Sequence, residues 1–158
     1  MDLYVLRHAK AERAVPGGDD ARRPLTEKGQ RDARRLGRWV REHELALDLV
    51  ATSPYTRAHE TATLVAQCGS ALPLMIWDEL VPGSTVAALM ARLATLDPNA
   101  AVLVVGHDPL LSDLVSAAIG GGRVRLAKGA LALIGQFSPE SGGALEWLVT
   151  PGVIVPGP

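Results

Sequence analysis

The 158-residue sequence predicts an α/β fold, a three-layer α/β/α sandwich with a mostly parallel central sheet. Three observations predict it. Short apolar runs alternate with longer segments of helical periodicity along most of the chain. The run "AVLVV" at 101–105 is apolar without alternation, as expected of a strand covered on both faces. And 47% of the residues are hydrophobic, in a chain long enough to bury a sizeable core. No internal repeat, low-complexity block or linker interrupts the pattern, so residues 1–158 are expected to form one domain.

The elements follow in order. Residues 2–6, "DLYVL", read as a buried strand. A Pro/Gly/Asp-rich loop, "AVPGGDDARRP", comes next. A helix is expected from Thr26, whose hydroxyl can cap the first turn; Glu27 suits the positive end of its dipole, and Ala33, Leu36 and Val40 fall on one face. "LDLVATS" (47–53) reads as the second strand, and residues 53–68 as the second helix, with Ser53 as N-cap and Pro54 at the first helical position. "LPLMIW" (72–77) is the third strand, followed by the loop "DELVPGS". Residues 85–96 read as a helix, 100–107 as a strand and 109–119 as a helix stopped by the glycines 120–122. Two strands joined by a turn, "GALALIGQF" and "LEWLVT", close the pattern.

Composition narrows the function. Sixteen basic against seventeen acidic side chains, with 4% aromatics, is unlike a nucleic-acid binder, which needs a basic excess and stacking rings. No apolar run approaches the ~20 residues of a membrane span, and the N-terminus lacks a signal pattern, so a cytoplasmic protein is expected. Cys68 is the sole cysteine; it is read as a small buried hydrophobe, and neither an intramolecular disulfide nor a cysteine metal cluster can form.

Polar groups collect where the strands end, which is where ligands bind in such folds. The first strand runs into Arg7-His8, the second into Ser53 with Arg57 one turn on, the third into Asp78-Glu79, and the fourth into His107. Two arginines on one small rim imply an oxyanion ligand, because guanidinium forks match phosphate oxygens. A histidine between them should have a depressed pKa, and hence a free lone pair able to attack phosphorus. There is no Walker-type loop and no His/Asp metal-ligand cluster; the arginines could supply the required charge stabilisation without a metal or organic cofactor.

Three blocks carry a resemblance. "LRHAKAE", "SPYTRAHETA" and "VVGHDPLL" resemble, in order and spacing, the signatures of the histidine phosphatase superfamily with its phosphoglycerate-mutase-like fold. The short length, "RHAK", "RRPLTEKG" and "DELVPGS" resemble the SixA-type phosphohistidine phosphatases within it. Ala9 departs from the superfamily's usual glycine after the histidine. The resemblance implies that His8 is the nucleophile and becomes phosphohistidine, that Arg7, Arg57 and His107 surround the phosphoryl group, and that Arg23 is a further phosphate contact. Glu79, or its neighbour Asp78, is the candidate general acid that a phosphomonoesterase would use. Lys10 and Lys128 are read as surface charges, with a place on the rim as the alternative; His43 and His59 are structural or solvated, and Trp39, Trp77 and Trp147 belong to the core or its edge. The expected substrate is a phosphohistidine-containing protein such as a phosphotransfer domain. Small phosphomonoesters are the alternative, and an inactive phosphoprotein-binding module is the rival from another class.

Overall fold

The computed structural model describes residues 1–67 and 72–154, which leaves Cys68 outside the described residues. Its sheet comprises β1 (Asp2–Arg7), β2 (Leu49–Thr52), β3 (Leu74–Ile76), β4 (Ala101–Gly106), β5 (Leu131–Ser138) and β6 (Gly142–Val149), in the order β3-β2-β4-β1-β5-β6. The first four are mutually parallel; β5 runs antiparallel to β1, and β6 antiparallel to β5. This is the mostly parallel sheet that the apolar runs predict.

Helices α1 (Glu27–Glu42) and α2 (Thr56–Ala66) cover one face, α3 (Val86–Leu93) and α4 (Leu110–Ala118) the other. The period-two geometry of a strand divides its side chains accordingly. In β1, Leu3 and Val5 pack toward α3 and α4, whereas Tyr4 and Leu6 pack toward α1 and α2. In β4, Val102 and Val104 take the first face, Leu103 and Val105 the second. Both central strands are therefore apolar at consecutive positions. Each fully buried Leu or Val contributes about 1.5–3 kcal/mol, so these two strands anchor the domain.

Helix α1 begins where its sequence says it should. The Thr26 Oγ accepts from the Gly29 amide, and Gly29, Ala33, Leu36 and Val40 form its buried stripe. The start of α2 is different. Ser53 and Pro54 precede the helix; Tyr55 is the N-cap residue, and the Ser53 Oγ accepts from the Tyr55 amide. Ser-Pro signals a helix start locally, but the Ser53 hydroxyl is also bonded to His107, and this holds it at the strand end rather than in a helical turn. Helix α4 stops at Ala118, and Gly120, Gly121 and Gly122 all adopt positive φ, the stop expected of that run. Trp77 is buried, while Trp39 and Trp147 meet edge-to-face at 5.5 Å on the margin of the α1 side.

The topology fixes where a ligand can reach. Strand β4 lies between β1 and β2, and its chain continues to the opposite face from theirs. The carboxyl ends of β1, β4 and β2 therefore form a crevice at which the connections diverge. A short 3-10 turn, Asp78–Leu80, crosses these ends: a Cβ on Gly106 would stand 3.2 Å from the Leu80 carbonyl oxygen.

Candidate active site

The strand ends bring His8, Arg7, Arg57 and His107 into one cluster. Backbone hydrogen bonds continue past the strands and hold each in register. His8 N donates to Gly106 O at 3.0 Å, Ser53 N to Val105 O at 3.0 Å, and Gly129 N to the carbonyls of both Arg7 and His8. The rings of His8 and His107 lie with centroids 5.1 Å apart and tilted by 57°. His8, Arg57 and His107 are buried, an unusual concentration of titratable groups for a domain of this size.

Each imidazole is oriented by one neighbour. The Nδ1 of His8 donates to the Ala9 carbonyl oxygen at 2.7 Å, which places the proton on Nδ1 and leaves the Nε2 lone pair free. Ala9 is itself pinned, since its amide donates to the Thr61 Oγ, and Thr61 in turn donates to the Arg57 carbonyl. For His107, Nε2 lies 3.0 Å from the Ser53 Oγ. The Ser53 hydroxyl, which accepts from the Tyr55 amide, can also donate to His107 Nε2; when it does, the ring proton sits on Nδ1.

Both histidines are held neutral. Burial comes first in depressing His8 to about 4, and the charges of Arg57, Arg7 and Lys128 add to it against the opposing hydrogen bond to Ala9. For His107 burial again dominates, followed by His8 and Arg57, and the pKa falls to about 3. The sequence suggests the flanking arginines as the reason for a neutral histidine. In the folded protein they are the smaller part, and exclusion from water is the larger.

The arginines share one arrangement. Arg7 Nη1 donates to the Leu126 carbonyl at 2.7 Å and lies 3.4 Å from the Asp108 carboxylate. Arg57 Nη1 donates to the Asp20 carbonyl at 2.7 Å, and its Nη2 to the Asp20 carboxylate at 3.0 Å. The Nε of Arg7, the Nε of Arg57 and the Nδ1 of His107 are buried without a hydrogen-bond partner. Buried donors without partners are rare and call for an explanation. Three of them from one cluster, beside a free imidazole nitrogen, form a set of donors suited to the oxygens of a phosphoryl group.

Arg23 joins the cluster through Asp20, to which its Nε donates at 2.9 Å and beside which its Nη2 lies in an ion pair at 2.8 Å, and its Nη1 donates to Glu12 O. Glu79 is half-buried on the turn after β3, and no hydrogen bond or ion pair ties it to the histidines or arginines. Asp78 on the same turn is exposed, as are Lys10 and Lys128. His59 faces a shallow groove with Gln30 and Gln67, away from Arg57, and His43 stacks on Trp39 at 4.3 Å while its Nδ1 donates to Trp39 O. Asp20, Ser53, Thr61 and Asp108 were not identified from the sequence as orienting groups. The one available signal was that each stands in or beside a block already bearing a functional residue. Among the described residues no group of three or more His, Cys, Asp or Glu is placed to hold a metal ion.

Known proteins share this chain's family and fold. The profile of the histidine phosphatase superfamily (branch 1) matches residues 3–81. The chain belongs to the histidine phosphatase superfamily. Within that superfamily the chain is 28% identical over 155 residues to the phosphohistidine phosphatase SixA of Escherichia coli strain K12, covering 96% of this chain and 94% of that protein. It is 31% identical to the SixA homolog of Haemophilus influenzae strain Rd, over 76% of this chain and 78% of that one. The solved structure of the protein histidine phosphatase SixA complexed with tungstate superimposes with a TM-score of 0.87 at 28% identity, covering 96% of this chain and 98% of that chain. The fold and the family expected from the three sequence blocks are thus both found.

Proposed function

We propose that this histidine phosphatase hydrolyses phosphohistidine on a protein substrate, in two displacements and without a metal ion. The observation that carries the reading is the pairing of a neutral, buried His8, whose Nδ1 is tied to Ala9, with three unpartnered donors on Arg7, Arg57 and His107. The similarity to SixA supports the substrate class.

In the first displacement the Nε2 lone pair of His8 attacks phosphorus, and the bond from phosphorus to the substrate nitrogen breaks. The substrate ring carries its proton on the nitrogen not bonded to phosphorus, so the departing nitrogen keeps the electron pair of the broken bond and a neutral imidazole leaves, while the phosphoryl group passes to His8. In the second, a water oxygen attacks phosphorus, the bond to His8 Nε2 breaks, and inorganic phosphate leaves with the water proton transferred to solvent or to the product. Arg7 and Arg57 offset the charge on the phosphoryl oxygens in both steps, Arg23 adds to that field, and His107 donates from Nδ1. A protonated imidazole is a good leaving group, so the reaction has little need of a carboxylic acid, in keeping with the lack of a hydrogen bond between Glu79 and the histidines or arginines.

The test is phosphate release from a phosphohistidine-bearing protein domain in EDTA, beside a panel of small phosphomonoesters, with His8→Ala as control. Rapid loss from the protein, abolished in the variant, is the expected result. Preference for a small ester would transfer the chain to the general phosphatases. In that case Glu79→Gln should slow ester turnover, whereas it leaves phosphohistidine turnover within about twofold. Oxyanion binding with no turnover of any substrate would leave a phosphoprotein-binding module.

A further inference from the structure

Arg57 and Arg7 each meet one backbone carbonyl and one carboxylate and have Nε left over, but Arg7 makes both contacts through Nη1 whereas Arg57 uses Nη1 and Nη2. A guanidinium has two edges that can grip an oxyanion. The end-on edge is made by Nη1 and Nη2; the side-on edge is made by the Nε proton and the second proton of Nη2. At Arg57 the end-on edge is filled, because Nη1 donates to the Asp20 carbonyl and Nη2 to its carboxylate. Only the side-on edge remains, and its Nε is buried without a partner.

The Asp20 carboxylate divides its oxygens between two arginines. Oδ2 accepts from Arg57, and Oδ1 accepts from Arg23. Asp20 itself stands on a single 3-10 turn, Asp20–Arg22, with half of its side chain exposed, whereas the Arg57 side chain is 4% exposed. An ion pair reaching the surface contributes little to stability. Its worth at this position lies in aim.

We propose that Asp20 is a positioning residue: it occupies the end-on edge of Arg57, and so presents the side-on edge to the phosphoryl group, while drawing Arg23 to the same rim. This rests on the phosphatase reading above, and it adds a specific orientation for the arginine. Without the Asp20 carboxylate, Nη2 of Arg57 is released while Nη1 keeps the backbone carbonyl, so the guanidinium is held at one point and can swing, and Arg23 loses the carboxylate that holds it. Phosphoryl oxygens placed for the side-on grip would then meet a mobile donor.

The experiment compares wild type, Asp20→Ala and Asp20→Asn by two readouts: kcat and KM on the phosphohistidine-bearing protein, and tungstate affinity by calorimetry with no substrate present. Asp20→Ala is expected to lower kcat by about tenfold or more and to weaken tungstate binding by a similar factor, the loss of one charge-assisted hydrogen bond. Asp20→Asn keeps one acceptor oxygen but puts an amide NH2 where the second oxygen stood, so it serves one of the two arginines, and its kcat should fall between wild type and Asp20→Ala. Melting temperatures close to wild type in both variants would show the fold intact. Unchanged kcat with tighter tungstate binding in Asp20→Ala would overturn the proposal, since Asp20 would then be an anion competing with the ligand. Equal losses in Ala and Asn would overturn it too, by showing that charge and not acceptor geometry is what counts. If wild type turns over no substrate, the phosphatase reading fails, while the tungstate comparison still decides the role of Asp20.

Discussion

Gly29→Ala should damage the active site from a position on helix α1 that touches no candidate catalytic residue. Alanine in a helix interior is ordinarily worth about 1 kcal/mol over glycine. Here a Cβ at residue 29 would stand 2.1 Å from the Lys10 carbonyl oxygen and 3.0 and 3.1 Å from the Lys10 carbonyl carbon and amide nitrogen. All three are backbone atoms, so no side-chain rotation relieves the overlap. The Lys10 peptide must withdraw by about 1 Å to reach ordinary contact. That peptide is also held by Thr26, whose amide and hydroxyl both donate to Lys10 O at 2.9 and 3.1 Å. One residue upstream, the Ala9 carbonyl sets the orientation of His8. A misplacement of about 1 Å near a reacting centre can cost on the order of a hundredfold in rate. The expected outcome is a kcat reduced by about ten- to a hundredfold, together with a lowered melting temperature, because the overlap outweighs the helix gain. Thermal unfolding followed by circular dichroism and phosphate release under saturating substrate would measure both. A variant that melts higher than wild type and keeps full activity would refute the reasoning, since the α1 start and the His8 segment would then be mechanically independent.

Acid should lower both the stability and the activity of the protein, the first from a higher pH than the second. With His8 depressed to about 4, kcat/KM is expected to stay level from about pH 8 to about pH 6 and to fall as pH approaches 4; a fall centred near the ordinary histidine value of 6.5 would contradict the buried, neutral ring. The same shifts act on stability. His8 and His107 titrate near 4 and 3 when folded and near 6.5 when unfolded, so below about 6.5 the unfolded chain holds more protons. Their contribution is complete above that value and is lost as pH falls toward 4, which urea midpoints at a series of pH values would record. Ser53→Ala removes the hydroxyl that faces His107 Nε2, and kcat should drop by about tenfold or more as the imidazole loses its fixed tautomer. Ser53→Thr, which keeps the hydroxyl, should retain more of the rate, and equal activity in both variants would remove the assigned role.

The parts of the molecule legible in the sequence are those whose cause is local or periodic. β1 and β4 could be read because each is buried on both faces, and the polar residues that follow them mark where burial ends. The start of α1 was legible because a Thr side chain three residues before Gly29 is sufficient to cap it. The start of α2 was misread for the opposite reason: Ser53 obeys a tertiary partner, His107, which lies 54 residues away in the chain. Asp20 could not be singled out from "GGDDARRP", because nothing in that string says which of its acids will meet an arginine 37 residues later. Asp108 likewise reads as the residue before a proline until β1 brings Arg7 beside it.

The two histidines follow strands that are neighbours in the sheet, with Arg7 paired to Gly106 and the His8 amide bonded to the Gly106 carbonyl. Adjacent strands lie about 4.8 Å apart, a spacing set by peptide hydrogen bonds that no side chain can alter. The 5.1 Å between the imidazole centroids is close to that interval. The sheet thus works as a ruler for the chemistry, while the surfaces that would meet a substrate protein belong to separate segments such as 10–26 and 123–128. For an engineer this separates two tasks. Those segments offer the place to exchange one surface for another, provided Asp20, Arg23 and the Leu126 carbonyl are kept for the arginines they engage, and the pitch of the histidine pair is set by the backbone throughout.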